Sequence, residues 1–261
     1  MFKTSRVGWP QVLRSLGSLV TTLIKAAING GRSKAEHQQV PVTPEEIAFA
    51  VVGCLHAGAS AIHFHVRSPA GEESLAAADL TRALNAIRKT APTAQVGIST
   101  GDWIVGDHSE RMMLVSEWTE LPDFASVNFH EVGAIELART LLAKGIGVEA
   151  GLSNQHSAEE FVDSGLAPKC LRVLIEPQEQ QLDDARRTVD FIRVVLDHAH
   201  IQIPWLLHGT EATAWQVMDD ALRLGHDIRI GFEDTLSLPN GMSAQSNAEL
   251  ISSAKHQLML A

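Results

Sequence analysis

Short apolar segments alternate with longer segments of helical spacing along most of the chain. Eight apolar segments have the length and composition of buried strands. They cover residues 23–28, 61–67, 95–98, 124–128, 147–150, 171–175, 204–207 and 227–231. Helical spacing follows each one; Leu80, Leu84 and Ile87, for example, share one face of residues 75–89. The predicted helices cover residues 44–56, 75–89, 109–118, 133–144, 157–163, 178–199, 211–224 and 247–259.

The first of these helices has the clearest boundaries. Thr43 is predicted to cap it, because a hydroxyl accepts hydrogen bonds from the free backbone N–H groups of a first turn. Pro44 suits the first helical position, which needs no N–H donor. Gly58 follows the helix and predicts its end.

Eight strands alternating with eight helices predict an α/β fold, a (β/α)8 TIM barrel. The competitor, a doubly wound open sheet, is disfavoured because residues 29–32 (NGGR) lack the glycine-rich phosphate turn G-x-G-x-x-G. We expect a single catalytic domain over residues 23–261, preceded by a lead-in over residues 1–22 that contains a short helix at residues 10–19.

Composition narrows the class of protein. The 261 residues include 31 acidic and 21 basic side chains, for a net charge of −10, which disfavours nucleic-acid binding. No apolar run approaches 18 residues, so no membrane span is expected. Cys54 and Cys170 are predicted to be buried thiols of a reducing compartment, and residues 1–22 lack a secretion-signal pattern, so we expect a cytoplasmic protein.

Residues 61–67 (AIHFHVR) place two histidines on one predicted strand. Side chains alternate faces along a strand, so His63 and His65 point the same way, with Cα atoms about 6.5–7 Å apart. Two imidazoles at that spacing can bind one metal ion; two ordinary strand histidines are the alternative. Carboxylates at Glu233 and Asp234, after the last strand, favour the metal interpretation. Such ligands suit zinc, and they also suit non-haem iron.

Polar residues cluster where predicted strands end, which is the functional face of a barrel. These residues are Asn29, Arg32, His63, His65, Ser99, Ser126, Asn128, Glu149, His208, Arg229, Glu233 and Asp234. Their clustering predicts an enzyme. Glu233 and Asp234 are adjacent, so we expect one to bind metal and the other to meet Arg229 or substrate. The alternative is that both cap the next loop and pair with Arg229 on the rim.

Five stretches resemble the β-keto acid cleavage enzymes: KAAING at 25–30, PVTPEEI at 41–47, AGASAIHFHVR at 57–67, STG at 99–101 and RIGFED at 229–234. The resemblance covers about residues 23–252. It implies a metal-bearing barrel, usually a homotetramer, whose substrates are a β-keto acid and acetyl-CoA. The implied products are acetoacetate and the CoA ester of the shortened acid.

The resemblance also implies residue roles. His63, His65 and Glu233 would bind Zn2+ or another divalent transition metal, and Asp234 with Arg229 would deprotonate the keto acid. Ser99 would assist, Glu149 would be an active-site glutamate, and Arg32, Ser126 and Asn128 would bind substrate.

The sequence departs from the family pattern around the expected pocket. Residues 128–132 lack its glycine-rich loop, and residues 150–152 replace its aromatic-acidic pair. Residues 1–22 are unusual, and the end at Ala261 is earlier than the resemblance leads us to expect. Arg32 stands where the best-known family member has a glutamate that suits an ammonium group on the substrate. We therefore expect amino-bearing keto acids to be rejected and a neutral or, better, a dicarboxylic acid to be preferred, with Arg32 binding the distal carboxylate. Alternatively, Arg32 turns outward or pairs with Glu36 or the CoA phosphates.

Two other functions fit parts of the pattern. An amidohydrolase-type hydrolase also carries H-x-H on a barrel strand, but on the first strand, whereas the pair here lies on the second. A non-catalytic barrel with a structural metal would have no use for Ser99, Arg229 and Asp234.

Overall fold

Strands and helices alternate without interruption through residues 22–260, the part of the chain that the computed structural model describes. The strands are β1 (Ile24–Ala27), β2 (Ala61–Phe64), β3 (Val96–Ser99), β4 (Phe124–Asn128), β5 (Gly147–Leu152), β6 (Arg172–Ile175), β7 (Trp205–Leu207) and β8 (Asp227–Ile230). The α-helices are α1 (Pro44–Ala57), α2 (Ala77–Thr90), α3 (His108–Ser116), α4 (Ala134–Ala143), α5 (Gln155–Asp163), α6 (Leu182–His198), α7 (Ala214–Leu224) and α8 (Asn247–Leu260). The helix predicted at residues 10–19 lies outside the described residues.

The eight strands form one closed parallel barrel in chain order, β1 to β8, and β8 pairs with β1. The predicted TIM barrel is therefore confirmed. Each helix packs an apolar face against the outside of the barrel; Leu80, Leu84 and Ile87 of α2 are all buried, as their spacing predicts. Among the described residues, no helix combines the length and apolar character needed to cross a membrane.

Local chemistry explains the boundaries of α1. The Thr43 side chain accepts a hydrogen bond from the Glu46 backbone, and Glu46 bonds back to the Thr43 N–H, a reciprocal cap. Gly58 ends the helix in the left-handed region at φ 115°, where a side chain would be strained. Both predictions are confirmed.

Several predicted boundaries are wrong. The strand predicted at residues 61–67 ends at Phe64, and the α-helix predicted at residues 211–224 begins at Ala214. The helix predicted at residues 178–199 begins at Leu182, because residues 178–181 form a loop in which Gln180 bonds to Thr210 and Ala212. Strand β5 continues past Ala150 to Leu152, since it pairs with β4 and β6 along its whole length.

An ionic cluster fills the N-terminal half of the barrel interior. Lys25 donates to Glu149 at 2.6 Å, Arg172 lies 3.1 Å from the other Glu149 oxygen, and Asp227 lies 3.5 Å from Arg172. Burial lowers the pKa of Lys25, although Glu149 opposes the shift. Parallel barrels usually carry branched apolar side chains here, so this layer depends on charge pairing.

Candidate active site

A cavity of about 520 Å³ opens at the C-terminal ends of the strands. Eight of the strand-end residues predicted from the sequence line it: His63, His65, Ser99, Ser126, Asn128, His208, Arg229 and Glu233. The barrel thus brings together side chains that are up to 170 positions apart, and it does so at the face where barrel enzymes carry their chemistry.

Three potential metal ligands meet at one side of this cavity. His63 lies in β2 and His65 follows directly after its end, and Glu233 reaches both histidines from the turn after β8. Glu233 oxygens lie 3.5 Å from Nε2 of His63 and 3.5 Å from Nε2 of His65. Gly30 makes this approach possible, because a side chain there would collide with Glu233.

The donor set fits a divalent transition metal. The three ligand atoms lie within 4.8 Å of one another, and Oε2 of Glu233 is buried without a hydrogen-bond partner. Burial holds the pKa of His63 well below its usual value, so this imidazole is neutral and can donate its lone pair. Two histidines and one carboxylate match a catalytic site with open positions.

Glu73 and Trp103 extend this group, and sequence reasoning missed both. Glu73 lies 2.5 Å from Nδ1 of His65, and the Trp103 indole N–H lies 3.3 Å from both Glu73 oxygens. Burial opposes protonation of His65, but Glu233 and Glu73 raise its pKa to about 9. The rule that metal-binding histidines bond a carboxylate could have indicated Glu72 or Glu73, but not which of them.

Arg229 contacts both carboxylates after β8. Its guanidinium lies 2.5 Å from Glu233 and 2.7 Å from Asp234. Burial raises the pKa of Asp234, but Arg229 and His208 outweigh it and lower the pKa below its usual value. Asp234 is therefore ionised. Arg229 therefore contacts Asp234, as the sequence analysis expected, and it contacts Glu233 as well.

Asp234 is fully buried behind Arg229, and His208 stands between it and the cavity. His208 Nδ1 lies 3.4 Å from Asp234, and its Nε2 lies 3.5 Å from Glu176. His208 lines the cavity, on the functional face where the sequence analysis placed it. Glu176, which also lines the cavity, is not among the site residues predicted from the sequence.

Glu149 does not line the cavity. The predicted placement at a strand end is wrong: β5 continues to Leu152, which leaves Glu149 in mid-strand and fully buried. Its carboxylate faces Lys25 and Arg172 in the ionic cluster beneath the cavity.

Arg32 lies on the rim rather than among the cavity-lining residues. It bonds Glu36 and Glu211, and its Nε donates to the carbonyl of Phe232. In the structure Arg32 therefore pairs with Glu36, which is one of the alternatives to carboxylate binding given by the sequence analysis.

Comparison with known proteins identifies the family of this chain. The model of the beta-keto acid cleavage enzyme family matches residues 21–259. This chain belongs to the beta-keto acid cleavage enzyme family. A similar family member is the 3-keto-5-aminohexanoate cleavage enzyme of Fusobacterium nucleatum subsp. nucleatum, 29% identical over 247 residues that cover 88% of each chain. The enzyme of the same name from Acetoanaerobium sticklandii is 25% identical over 264 residues, again covering 88% of each chain.

The fold of this beta-keto acid cleavage family member is also that of ObcA. The complex of ObcA with oxaloacetate aligns with a TM-score of 0.65 at 19% identity, over 85% of this chain and 64% of ObcA. The ternary complex of ObcA with a C4-CoA adduct and oxalate gives a TM-score of 0.64 at 19% identity, with the same coverage. This chain therefore spans somewhat less than two thirds of ObcA.

Proposed function

We propose that this chain is a metal-dependent enzyme that condenses a β-keto acid with acetyl-CoA and releases acetoacetate and a shortened acyl-CoA. The observation that carries the proposal is the convergence of His63, His65 and Glu233 beside the Arg229–Asp234 pair, inside one cavity. Membership of the family and the CoA-adduct complex of ObcA support it.

The metal, for which zinc is the proposed ion, would be held by His63, His65 and Glu233. When bound, it would polarise the keto oxygen and stabilise negative charge on the substrate. The remaining chemistry belongs to the protein side chains.

Proton removal from the keto acid is assigned to Asp234, which is ionised and held by Arg229 through two nitrogens. Because Asp234 has no exposed surface, His208 is the group through which a proton passes between the cavity and Asp234. A proton taken from C2 leaves an electron pair that forms the new bond to the thioester carbonyl carbon of acetyl-CoA, and the C–S bond breaks to release the CoA thiolate. The thiolate would then add to the C3 carbonyl of the keto acid, and cleavage of the C2–C3 bond would release the shortened acyl-CoA. The electron pair left on C2 takes up a proton, which gives acetoacetate.

Two hydroxyl groups line the same cavity and suit the developing oxyanions. Ser99 Oγ accepts one hydrogen bond, of 3.3 Å, from the Gly101 N–H. The hydroxyl proton of Ser99 is therefore free to donate to a substrate oxygen in the cavity. Ser126 lines the cavity from the neighbouring strand, beside Ser99 in the β3–β4 register.

The test is production of acetoacetate from β-keto acids with and without acetyl-CoA, by protein loaded with zinc. The proposal expects no acetoacetate unless acetyl-CoA is present. Turnover that ignores acetyl-CoA would contradict it and favour the hydrolase. His63→Ala and Glu233→Ala are each expected to lose stoichiometric zinc and turnover together, as measured by elemental analysis and by the acetoacetate assay.

The homotetramer implied by the resemblance stays part of the proposal. Light scattering on the purified protein measures it directly.

A further inference from the structure

The cavity wall opposite the metal ligands comes from β4, β5 and β6. The candidate metal ligands lie at the end of β2 and after β8, on either side of β1. In a closed barrel of eight strands, β5 lies diametrically opposite β1. A keto acid whose head group lies at the metal ligands therefore extends its tail toward this wall.

Asn128 presents an acceptor at this wall. Its amide N–H donates to Glu131 at 2.7 Å, and Glu131 also accepts from Arg111 and from the Asp102 backbone. Since Glu131 can only accept here, the amide orientation is fixed and Oδ1 turns toward Gly151.

Glu176 presents a second acceptor at the same point. Its Oε2 faces His208, which leaves Oε1 over Gly151. A Cβ built on Gly151 would lie 2.6 Å from Oδ1 of Asn128 and 2.6 Å from Oε1 of Glu176. The two oxygens are therefore no more than about 5 Å apart, and both approach the Gly151 backbone so closely that any side chain at this position would fill the volume between them.

The charges around these two acceptor oxygens determine which substrate group can bind them. Arg229 is the only lysine or arginine among the described residues that line the cavity, and Glu233 and Asp234 already bind it. A tail carboxylate would meet Glu176 with no free cation. An ammonium would compete with His208, which already faces Glu176. A hydroxyl between the two acceptors donates its single proton to one of them and adds no charge.

We propose that Asn128 and Glu176 form a subsite for a hydroxyl group on the substrate tail, so that this enzyme selects hydroxylated β-keto acids. The inference rests on the proposed function and reverses the preference for a dicarboxylic substrate that Arg32 suggested.

The test compares β-keto acids of equal length: 3-oxohexanoate, its C5 and C6 hydroxy derivatives, 6-amino-3-oxohexanoate and 3-oxohexanedioate. Dissociation constants are measured calorimetrically on zinc-loaded protein without acetyl-CoA, and turnover is measured with acetyl-CoA present. The better hydroxy acid is expected to bind about tenfold more tightly than 3-oxohexanoate, since a built acceptor pair disfavours a methyl group, and the diacid is expected to bind worst.

Binding and turnover separate the two proposals. If the binding order holds and no acyl-CoA forms, the proposed reaction is wrong and the subsite stands. If the methyl, amino or diacid compound binds as well as the hydroxy acids, the subsite is wrong whatever the turnover.

Two variants probe the subsite itself. Glu176→Gln can turn an amide N–H toward Gly151, so it should lose the hydroxyl preference and bind the diacid about tenfold better than the wild type does. Gly151→Ala fills the volume and should weaken binding of the hydroxy acids while sparing the shorter 3-oxopentanoate. Glu120→Gln, on an exposed residue that precedes β4, is the matched control. A hydroxyl preference that survives both subsite variants in folded, zinc-binding protein would overturn the proposal.

Discussion

Glu73 provides a direct test of the proposed metal centre, because it contacts the proposed ligand His65 and not the proposed metal position. Its carboxylate lies 2.5 Å from Nδ1 of His65, while Nε2 of the same ring faces Glu233. Accepting the Nδ1 proton would fix the tautomer in which Nε2 carries the free lone pair, and would increase its basicity.

The expected magnitude follows from this contact. Loss of a carboxylate that supports a metal-binding histidine typically costs 10–100-fold in metal affinity, or about 1.4–2.8 kcal/mol. Glu73→Gln keeps an acceptor and loses the charge, so we expect a loss of about tenfold. Glu73→Ala removes the acceptor and leaves the Trp103 N–H without its partner, so we expect about a hundredfold.

The assay is competition for Zn2+ against a chelator of known affinity. Glu72→Gln is the matched control, because Glu72 is the exposed neighbour in the same loop. Dissociation constants that agree within twofold for Glu73→Ala and the control would refute the reasoning, provided that thermal melting shows both proteins folded.

Four other variants test separate features. Asp234→Asn should retain zinc and abolish deuterium exchange at C2 of a bound β-keto acid, since an amide cannot take the proton; exchange at the wild-type rate by NMR would assign the base elsewhere. Lys25→Met leaves Glu149 in a buried cluster without its closest cation, so urea unfolding should show a loss of about 3–5 kcal/mol, and an unchanged midpoint would contradict this. Burial lowers the pKa of His226 to about 4 from 6.5, so the unfolded chain binds more protons between these values and stability falls as the pH drops through them. The slope of Tm against pH between these values should therefore be smaller in His226→Asn. An unaltered slope would show that His226 does not cause this pH dependence. Arg32→Ala should leave the ratio of the kcat/KM values for 3-oxohexanedioate and 3-oxohexanoate unchanged, because Glu36 already binds the guanidinium. A loss of activity toward the diacid alone would instead support the interpretation that Arg32 binds the substrate carboxylate.

The spacing of apolar residues was sufficient to predict the fold, because the local sequence preferences of these elements agree with the structure they adopt. The α2 face of Leu80, Leu84 and Ile87 is buried as its spacing indicates, and the Thr43–Gly58 boundaries are those that local hydrogen bonding favours. Boundaries failed where partners from other elements decide them. Gln180 is held in a loop by residues after β7, and β5 gains two residues from its neighbours.

The sequence by itself determined the barrel and the candidate metal ligands. A spacing of two in extended backbone places His63 and His65 on one face, and strand ends in a parallel barrel meet at one rim, which brings the carboxylates after β8 close to them. Geometry did not distinguish Glu233 from Asp234; the resemblance to the family implied Glu233 as the ligand.

Only the tertiary structure decided how the other side chains are used. Glu149 and Glu176 are both glutamates near strand ends in the sequence, yet one lies under the cavity against Lys25 and the other lines it. Glu73 reaches His65 because its loop folds back on Arg67. These outcomes depend on strand register and loop closure, which arise from contacts between distant residues and leave no periodic trace in the chain.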